Sequence, residues 1–127
     1  MQEHFVAVDG DNVGSHLEYF AITNNVDALM GFSTKFNMAM DWLVGELING
    51  FKARIIFMGG DNLLAKVLIN QSGLELLEQL RNEFAKQAES TLSMGIGETP
   101  QQAYLALKLA KTGGKNVIKQ YKELSNG

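Results

Sequence analysis

The chain has 127 residues with a formal net charge of −3, and 46% of them are apolar, which suits one compact domain, residues 1–127, with a hydrophobic core. It contains no cysteine, so a disulfide scaffold and a Cys-ligated zinc site are excluded. The acidic balance argues against non-specific binding of DNA or RNA, which requires a basic face to neutralise phosphates.

Nothing in the sequence indicates secretion or membrane insertion. Strand-like sequence begins by about Phe5 without a preceding basic segment and hydrophobic stretch, and no apolar run is long enough to span a bilayer. We therefore expect a cytoplasmic protein without a membrane partner.

The first predicted element is a buried strand. Phe5-Val6-Ala7-Val8 is rich in β-branched and aromatic residues and stops at Gly10, so Asp9 is expected at the carboxyl end of the strand. Residues 15–22 follow and could form one or two helical turns before the polar sequence Thr23-Asn24-Asn25.

A long amphipathic helix is predicted next. Asn25 is a suitable N-cap, and the helix is expected to end near Gly50. Apolar residues recur every three or four positions and form one stripe, at Leu29, Phe32, Phe36, Met40, Leu43 and Leu47. A stripe with this spacing is typical of core packing rather than of a cofactor groove.

Two strand-like runs then predict a β-hairpin. Arg54-Ile55-Ile56-Phe57-Met58 and Leu63-Leu64-Ala65-Lys66-Val67-Leu68 are separated by the turn Gly59-Gly60-Asp61-Asn62. Asp61 is therefore expected at the tip of the hairpin.

The last third of the chain predicts a helix, a strand and a further helix. Ser72, with Glu75 three residues later, has the pattern of a capping box at a helix start. Leu92-Ser93-Met94-Gly95-Ile96-Gly97 indicates a strand. Thr99-Pro100-Gln101-Gln102 indicates another helix start, and this helix is expected to run to Gly113-Gly114.

This order of elements predicts a βαββαβ ferredoxin-like fold, an α+β architecture with an antiparallel sheet and helices on one face. Right-handed crossovers place the first strand beside the third, so that Asp9 and Asp61 share one edge of the sheet. Residues 116–121 are expected to add a short strand or a helical turn, and residues 124–127 to be frayed.

The two acidic clusters could hold one metal ion. Mg²⁺ takes oxygen ligands, often only one or two carboxylates, and completes its octahedron with water and substrate phosphate. Asp9 and Asp61, beside flexible glycines, suit that demand. The alternative is that Asp, Asn and Gly are simply common turn residues. Two such clusters, each next to a very apolar strand, favour the metal site.

Two features could bind phosphate. Lys111 and Lys115 lie four residues apart around a helix end and could converge on one anion, although lysines there can also be simple partners of the helix dipole. The turn from Gly10 to Ser15 leads into a helix start, where unpaired backbone N–H groups could hold phosphate oxygens.

Three segments together resemble the palm-domain nucleotide polymerases and cyclases, and most closely the minimal CRISPR polymerase family. The superfamily includes GGDEF-type diguanylate cyclases and the large cyclase subunit of type III CRISPR complexes. The hairpin Gly-Gly-Asp follows an Asp-x-Asp strand and precedes an Ala-Lys-x-x-Gly-Lys-Asn helix end, which is a specific combination. The segments are Val8-Asp9-Gly10-Asp11-Asn12-Val13-Gly14, Phe57-Met58-Gly59-Gly60-Asp61-Asn62-Leu63, and Ser93-Met94-Gly95-Ile96-Gly97 leading to Ala110-Lys111-Thr112-Gly113-Gly114-Lys115-Asn116.

The resemblance implies a two-metal nucleotidyl transfer. Asp9 and Asp61 are then the catalytic residues that bind the metals, Mg²⁺ or Mn²⁺. The carbonyl of Gly10 is implied as a further ligand, and Asp11 would support the site or bind the second metal.

The same resemblance implies the contacts to the nucleotide. Lys111 and Lys115 match positions that contact the triphosphate. The two turns are expected to supply the remaining contacts, at Asn12, Val13, Gly14, Ser15, Gly59, Gly60 and Asn62.

The chain also departs from its relatives. Asn62 stands where related enzymes carry Glu or Asp, so a carboxylate that could assist metal binding or hydroxyl deprotonation is missing. The segment after Gly14 lacks the Asn and Asp pattern with which diguanylate cyclases read guanine, which favours ATP as substrate. The nuclease, zinc-binding and RNA-binding domains of the large CRISPR subunits have no counterpart in the sequence, so control by RNA is not implied.

The expected product is a cyclic di- or oligoadenylate second messenger in antiviral defence, read by a separate effector protein. One palm domain offers only half of the site that ring closure requires, so a homodimer with C₂ symmetry is expected. This dimer could form only when nucleotide is bound. Three alternatives remain: a degenerate palm that binds nucleotide without turnover, a diguanylate cyclase, and a plain ferredoxin-like interaction module.

Overall fold

The computed structural model describes residues 2–122 of the chain. Among them, no helix combines the length and the apolar character needed to cross a bilayer. The elements in chain order are β1 (Gln2–Gly10), α1 (Val13–Ile22), α2 (Val26–Phe51), β2 (Arg54–Met58), β3 (Asn62–Ile69), α3 (Gln71–Ala88), β4 (Leu92–Gly97), α4 (Pro100–Thr112) and β5 (Ile118–Gln120).

The strands form one sheet in the order β2-β3-β1-β4-β5. β1 is antiparallel to both β3 and β4, and β2 is antiparallel to β3, whereas β5 runs parallel to β4. The first four strands and their connecting helices give the predicted ferredoxin-like arrangement, in which the first strand lies beside the third. Residues 118–120 form the short strand that was one of two expectations for the tail. Residues 124–127, expected to be frayed, lie outside the described residues.

The helices α2 and α3 cover one face of the sheet and complete the main core. Alternation along β1 sends Val6 and Val8 to this face, where they join Leu43 and Phe84 in one buried cluster. Much of the predicted stripe of α2 is buried, at Phe36, Met40, Leu43 and Leu47. The core-packing interpretation of that stripe is therefore confirmed.

The fold class is as predicted, but the placement of the helices needs one correction, because α4 packs on the opposite face. Ala7 and Leu64 point to this second face and pack against Ala103 and Leu107 of α4. A continuous apolar run such as that of β1 is buried on both sides and needs cover on both. Gly95 allows α4 to approach β4 very closely, because a Cβ at this position would collide with the backbone of α4.

Two of the three predicted helix caps are confirmed. The side chains of Asn25 and Thr99 each accept the backbone N–H three residues later, at 3.1 and 3.2 Å. The start of α3 is different, because Asn70 is the N-cap and accepts the N–H of Gly73 at 2.8 Å. Ser72 lies inside the first turn and donates its hydroxyl to Asn70 at 2.8 Å. Asn and Ser are about equally good N-caps. Because β3 ends directly before Asn70, the helix begins there and the earlier of the two residues is the cap.

Candidate nucleotide and metal site

The carboxyl end of β1 and the tip of the hairpin meet at one edge of the sheet. Asp9 lies opposite Asn62 in the register of β1 and β3, and the N–H of Gly10 donates to the carbonyl oxygen of Asp61 at 2.8 Å. The charge of Asp61 consequently acts on Asp9. The antiparallel pairing of β1 with β3 thus brings the two aspartates together, as the predicted strand order requires.

The ammonium group of Lys111 lies among these acidic groups. Its Nζ donates to the carbonyl of Gly10 at 2.7 Å and to Oδ1 of Asp11 at 2.8 Å, and lies 3.2 Å from Oδ2 of Asp9. The last turn of α4 carries the side chain there. A cationic group therefore already occupies a point where a carbonyl and two carboxylate oxygens converge.

Asp11 is a buried carboxylate with both oxygens engaged. Only 2% of its side chain is exposed. Oδ1 accepts from Lys111 and from the hydroxyl of Ser93, both at 2.8 Å. Oδ2 accepts from the hydroxyl of Thr91 at 2.7 Å and from the N–H of Asn116 at 2.9 Å. Because each oxygen already has two donors, this geometry favours a supporting role for Asp11 over the second-metal role.

The two aspartates of this segment have opposite pKa shifts. Burial raises the pKa of Asp9 above its ordinary value; Lys111 opposes the rise, and the charges of Asp61 and Asp11 reinforce it. Burial also acts to raise the pKa of Asp11, but the hydrogen bonds from Lys111 and two hydroxyl groups outweigh it, so that the pKa of Asp11 is lowered. Asp9 is thus the carboxylate whose charged form gains most from an added cation.

The loop between α4 and β5 has a left-handed backbone. The φ angles of Gly114, Lys115 and Asn116 are 126°, 66° and 52°. A residue such as Lys115 loses about 1–2 kcal/mol in this region, while asparagine tolerates it better, so contacts outside the loop help to hold it. One such contact is the N–H of Asn116 on Asp11. The loop directs the Nζ of Lys115 to Asn12, whose side-chain oxygen accepts its hydrogen bond.

The start of α1 forms the third side of the site. Asn12 precedes α1 with a φ of 60°, and its side chain makes no capping hydrogen bond. The N–H of His16 is the first to bond back to the carbonyl of Asn12, at 3.0 Å. The N–H groups of residues 13–15 therefore have no partner within the helix. The first turn carries no acidic residue, and Gly14 and Ser15 are exposed, so an anion can approach.

The glycines of the hairpin tip keep the second acidic cluster compact. The N–H of Gly59 donates to the carbonyl of Asn62 at 2.8 Å and closes the turn. A Cβ at Gly59 would collide with the side chain of Asn62, whereas one at Gly60 would meet nothing. Because the colliding atom is the far end of the Asn62 side chain, a residue other than glycine at position 59 would displace that side chain.

Sequence reasoning missed the residues that hold the site from behind. Thr91 and Ser93 supply hydroxyl donors to Asp11, and Arg81 donates to the carbonyl of Asn116 at 2.9 Å. A signal existed for Ser93, because it is the one polar side chain of a strand that is buried throughout, and a buried hydroxyl needs a partner. Arg81 gave no signal, since its partner is distant in sequence.

Asp9, Asp61 and the carbonyl of Gly10 suit a hard divalent cation, because all of them offer oxygen. The position of the Lys111 ammonium on two of these groups shows that the cluster attracts positive charge. Within residues 2–122, no group of three or more His, Cys, Asp or Glu side chains is arranged to hold a metal. Water or phosphate oxygens would have to complete the shell, as is common for Mg²⁺.

The fold is that of a GGDEF-like palm domain. The GGDEF domain of DgcB from Caulobacter crescentus, in complex with c-di-GMP, has a TM-score of 0.69 and 15% identity over 94% of this chain and 78% of that one. A microbial GGDEF domain studied with cyclic di-GMP gives 0.60 and 18% over 93% and 76%. The Csm1-Csm4 cassette in complex with cA4 gives 0.63 and 18% over 91% of this chain and 20% of that chain.

The family is defined more narrowly by sequence. The minimal CRISPR polymerase (mCpol) domain matches residues 5–121. The chain therefore belongs to the minimal CRISPR polymerase domain family, as its three motifs predicted. No curated protein is similar enough to count as a match.

Proposed function

We propose that the chain is a metal-dependent nucleotidyltransferase that joins ATP molecules into a cyclic di- or oligoadenylate, a second messenger of antiviral defence in the cytoplasm. The observation that carries this proposal is the meeting of Asp9, Asp61 and the carbonyl of Gly10 at one edge, beside Lys111 and Lys115. Membership of a polymerase family and the GGDEF-like fold support the class of reaction.

In the proposed reaction the 3′-hydroxyl oxygen of one nucleotide attacks the α-phosphorus of another. A new P–O bond forms, the bond to the β-phosphate oxygen breaks, the hydroxyl loses its proton and pyrophosphate leaves. The protein contributes mainly by holding the triphosphate in line with the hydroxyl and by complementing its charge.

Asp9, Asp61 and the carbonyl of Gly10 are the proposed ligands of Mg²⁺ or Mn²⁺. When bound, the ion supplies activation of the hydroxyl and neutralisation of phosphate charge. Asp11 holds this segment in place from behind, through its three hydrogen bonds from Thr91, Ser93 and Asn116, which do not involve Lys111. Asp11 therefore contributes by fixing the positions of the proposed metal ligands.

Lys111 has to exchange partners when a metal binds. Its Nζ lies on Asp9 and Gly10, which are two of the proposed ligands. A divalent ion at this point would repel the ammonium group, which we expect to turn to the triphosphate. Lys115 and the free N–H groups of residues 13–15 face the same space and would bind the remaining phosphate oxygens.

ATP is proposed as the substrate because the segment after Gly14 lacks the guanine-reading pattern of diguanylate cyclases. Closing a ring requires each hydroxyl to face the α-phosphate of the other nucleotide, so two copies of the chain are proposed to meet across their active edges as a C₂ dimer. A separate effector would read the product, without direct binding of DNA or RNA by this chain.

Nucleotide binding without turnover is a second candidate function. Asn62 stands where related enzymes carry a carboxylate, and Lys111 already forms an ion pair with Asp9 at 3.2 Å. The likeness to GGDEF domains that bind cyclic di-GMP keeps a diguanylate cyclase as a third candidate.

One assay separates these functions. The purified protein is incubated with Mg²⁺ or Mn²⁺ and each nucleoside triphosphate in turn, and products are identified by mass spectrometry. We expect a cyclic adenine product whose rate falls about 100-fold or more in Asp61→Asn, since a bound metal contributes several kcal/mol of transition-state stabilisation. Asp27→Asn, on the exposed start of α2, is the matched control and should keep full activity.

A guanine product would instead identify a diguanylate cyclase. Absence of any product while nucleotide still binds would contradict the transferase proposal and support the binding module.

A further inference from the structure

Arg81 of α3 connects a helix outside all three family motifs to the phosphate side of the site. Its Nη1 donates to the carbonyl of Asn116 at 2.9 Å and also to the side-chain oxygen of the same residue. Its Nε and Nη2 donate to one carboxylate oxygen of Glu78, at 3.2 and 2.7 Å. With 11% of its side chain exposed, Arg81 is held on both sides and can act as a rigid clamp.

The residue that Arg81 grips is the end of the left-handed run. The N–H of Asn116 donates to Asp11 and to Ser93, both at 2.9 Å, while its carbonyl and side-chain oxygens accept from Arg81. Four hydrogen bonds from three separate parts of the chain therefore hold Asn116 at a φ of 52°, in a region that asparagine adopts more readily than other non-glycine residues. Lys115 directly precedes this residue, and its own N–H donates to the carbonyl of Ala110 at 2.9 Å, so that the loop is held from both sides.

We propose that Arg81 is a positioning residue for phosphate binding, and that it acts through Asn116 to keep Lys115 directed at the start of α1. This inference rests on the proposed function, because it assumes that Lys115 binds the triphosphate. Without the clamp, the loop samples conformations in which Lys115 faces away. The apparent affinity then falls by the fraction of molecules that keep the competent conformation.

The clamp predicts a specific signature. Arg81 is directed at the loop and not at the proposed metal ligands, so its loss weakens binding of the polyphosphate group and raises KM for the triphosphate, while kcat at saturation changes little. A residue with only a structural role would instead lower the folded fraction, which reduces the apparent kcat in proportion and leaves KM unchanged.

The test compares Arg81→Met, Arg81→Lys and Arg54→Met. Arg54 is the other arginine of the chain and lies exposed on β2, at the sheet edge opposite β5. The probe is inorganic tripolyphosphate with Mg²⁺, titrated calorimetrically, because its binding needs no knowledge of the base. Hydrogen exchange at the amide of Asn116, measured without ligand, reports the loop independently of function.

We expect Arg81→Met to weaken tripolyphosphate binding about tenfold and to speed exchange at Asn116, because about a tenth of the molecules would keep the competent loop. Arg81→Lys should recover part of the affinity and part of the protection from exchange, since one donor can still reach Asn116. Arg54→Met should match the wild type in both measurements. Unchanged exchange or unchanged affinity in a folded Arg81→Met would overturn the inference. If Arg81→Met does not fold, the same two measurements are made on Glu78→Gln and Arg81→Lys. Wild-type affinity and wild-type exchange in both of these variants would overturn the inference.

Failure of the proposed function gives a different pattern. A wild-type protein that binds no tripolyphosphate would contradict the function itself and, with it, the phosphate role of Arg81. A wild-type protein that binds it, with no change in the variants, would contradict the clamp alone.

Discussion

At the scale of single residues, the three aspartates of the candidate site are of two kinds. Asp9 and Asp61 present carboxylates at the edge of the sheet, whereas Asp11 is buried with four donors around it. Asp9 and Asp11 are only two positions apart in β1 and its following turn, yet their pKa values move in opposite directions. The difference comes from the larger number of donors around Asp11 and from the charges of Asp61 and Asp11, which raise the pKa of Asp9.

Loss of the charge at Asp11 is expected to destabilise the fold. Asp11→Asn removes one charged partner of the Lys111 ammonium group and places an amide N–H₂ among hydrogen-bond donors. We expect the free energy of unfolding to fall by about 3 kcal/mol, by analogy with other broken buried ion pairs. Urea denaturation at pH 7 measures this loss, and Asp27→Asn is the exposed control. Equal stability of Asp11→Asn and the wild type would contradict the supporting role.

The same pair of proteins predicts a pH dependence. The pKa of Asp11 is lower in the folded state than in the unfolded state, so its contribution to stability is complete above the unfolded value of about 4 and is lost as the pH falls through the lower folded value. Between pH 5 and strong acid, the wild type should lose stability more steeply than Asp11→Asn. Parallel acid denaturation curves would rule this out.

At the scale of elements, α4 determines where Lys111 lies. The helix rests directly on β4, because glycine at position 95 leaves no side chain between the strand and the helix backbone. The close contact fixes the height of α4 above the sheet, and its last turn then delivers the lysine to the end of β1.

A methyl group at this contact is expected to disturb both stability and the site. Gly95→Ala forces α4 away from β4, with a cost of about 1–3 kcal/mol in the free energy of unfolding, as for other overpacked cores. Because Lys111 moves with the helix, nucleotide binding should weaken as well.

Thermal or urea denaturation, together with nucleotide titration, measures both effects. Gly45→Ala is the matched control, since its Cβ would meet nothing and alanine favours the helix α2 by about 1 kcal/mol. A Gly95→Ala protein as stable as the wild type would show that the helix can shift freely.

At the scale of the whole molecule, the candidate site lies at a single edge of the sheet. The three parts of the site, namely the end of β1, the hairpin tip and the start of α1, meet at one edge of the sheet. Under the proposed function one copy would bind one triphosphate, and the second nucleotide of a ring would be presented by another copy.

Assembly is accordingly predicted to depend on ligand. In analytical ultracentrifugation, a non-reactive ATP analogue with Mg²⁺ should shift the chain to twice its mass, because each nucleotide then bridges two active edges. Asp61→Asn with the same analogue should dimerise less, as it holds the metal more weakly. A chain that stays monomeric at saturating analogue and still forms a cyclic product would contradict the dimer.

The sequence by itself determined strands β1 to β4, helices α2 to α4, the family, and the meeting of Asp9 with Asp61, whereas the extent of α1 and the choice of a strand for β5 came from the structure. These follow from local rules, since strand alternation, helix periodicity and turn residues are read over a few positions, and the crossover rule then sets the strand order. The placement of α4 on the second face, by contrast, was decided by packing, because the continuous apolar run of β1 required cover on both sides.

Only the tertiary structure decided what Asp11, Lys111 and Arg81 do. Asp11 and Lys111 are 100 positions apart, and Arg81 lies 35 positions from Asn116. No local pattern specifies such partners, because a buried charge is stabilised only by the donors that the folded chain brings to it. The sequence therefore predicted the groups that are proposed to bind a metal and phosphate, and the fold decided which of them lie at the open edge of the sheet and which hold the others in place.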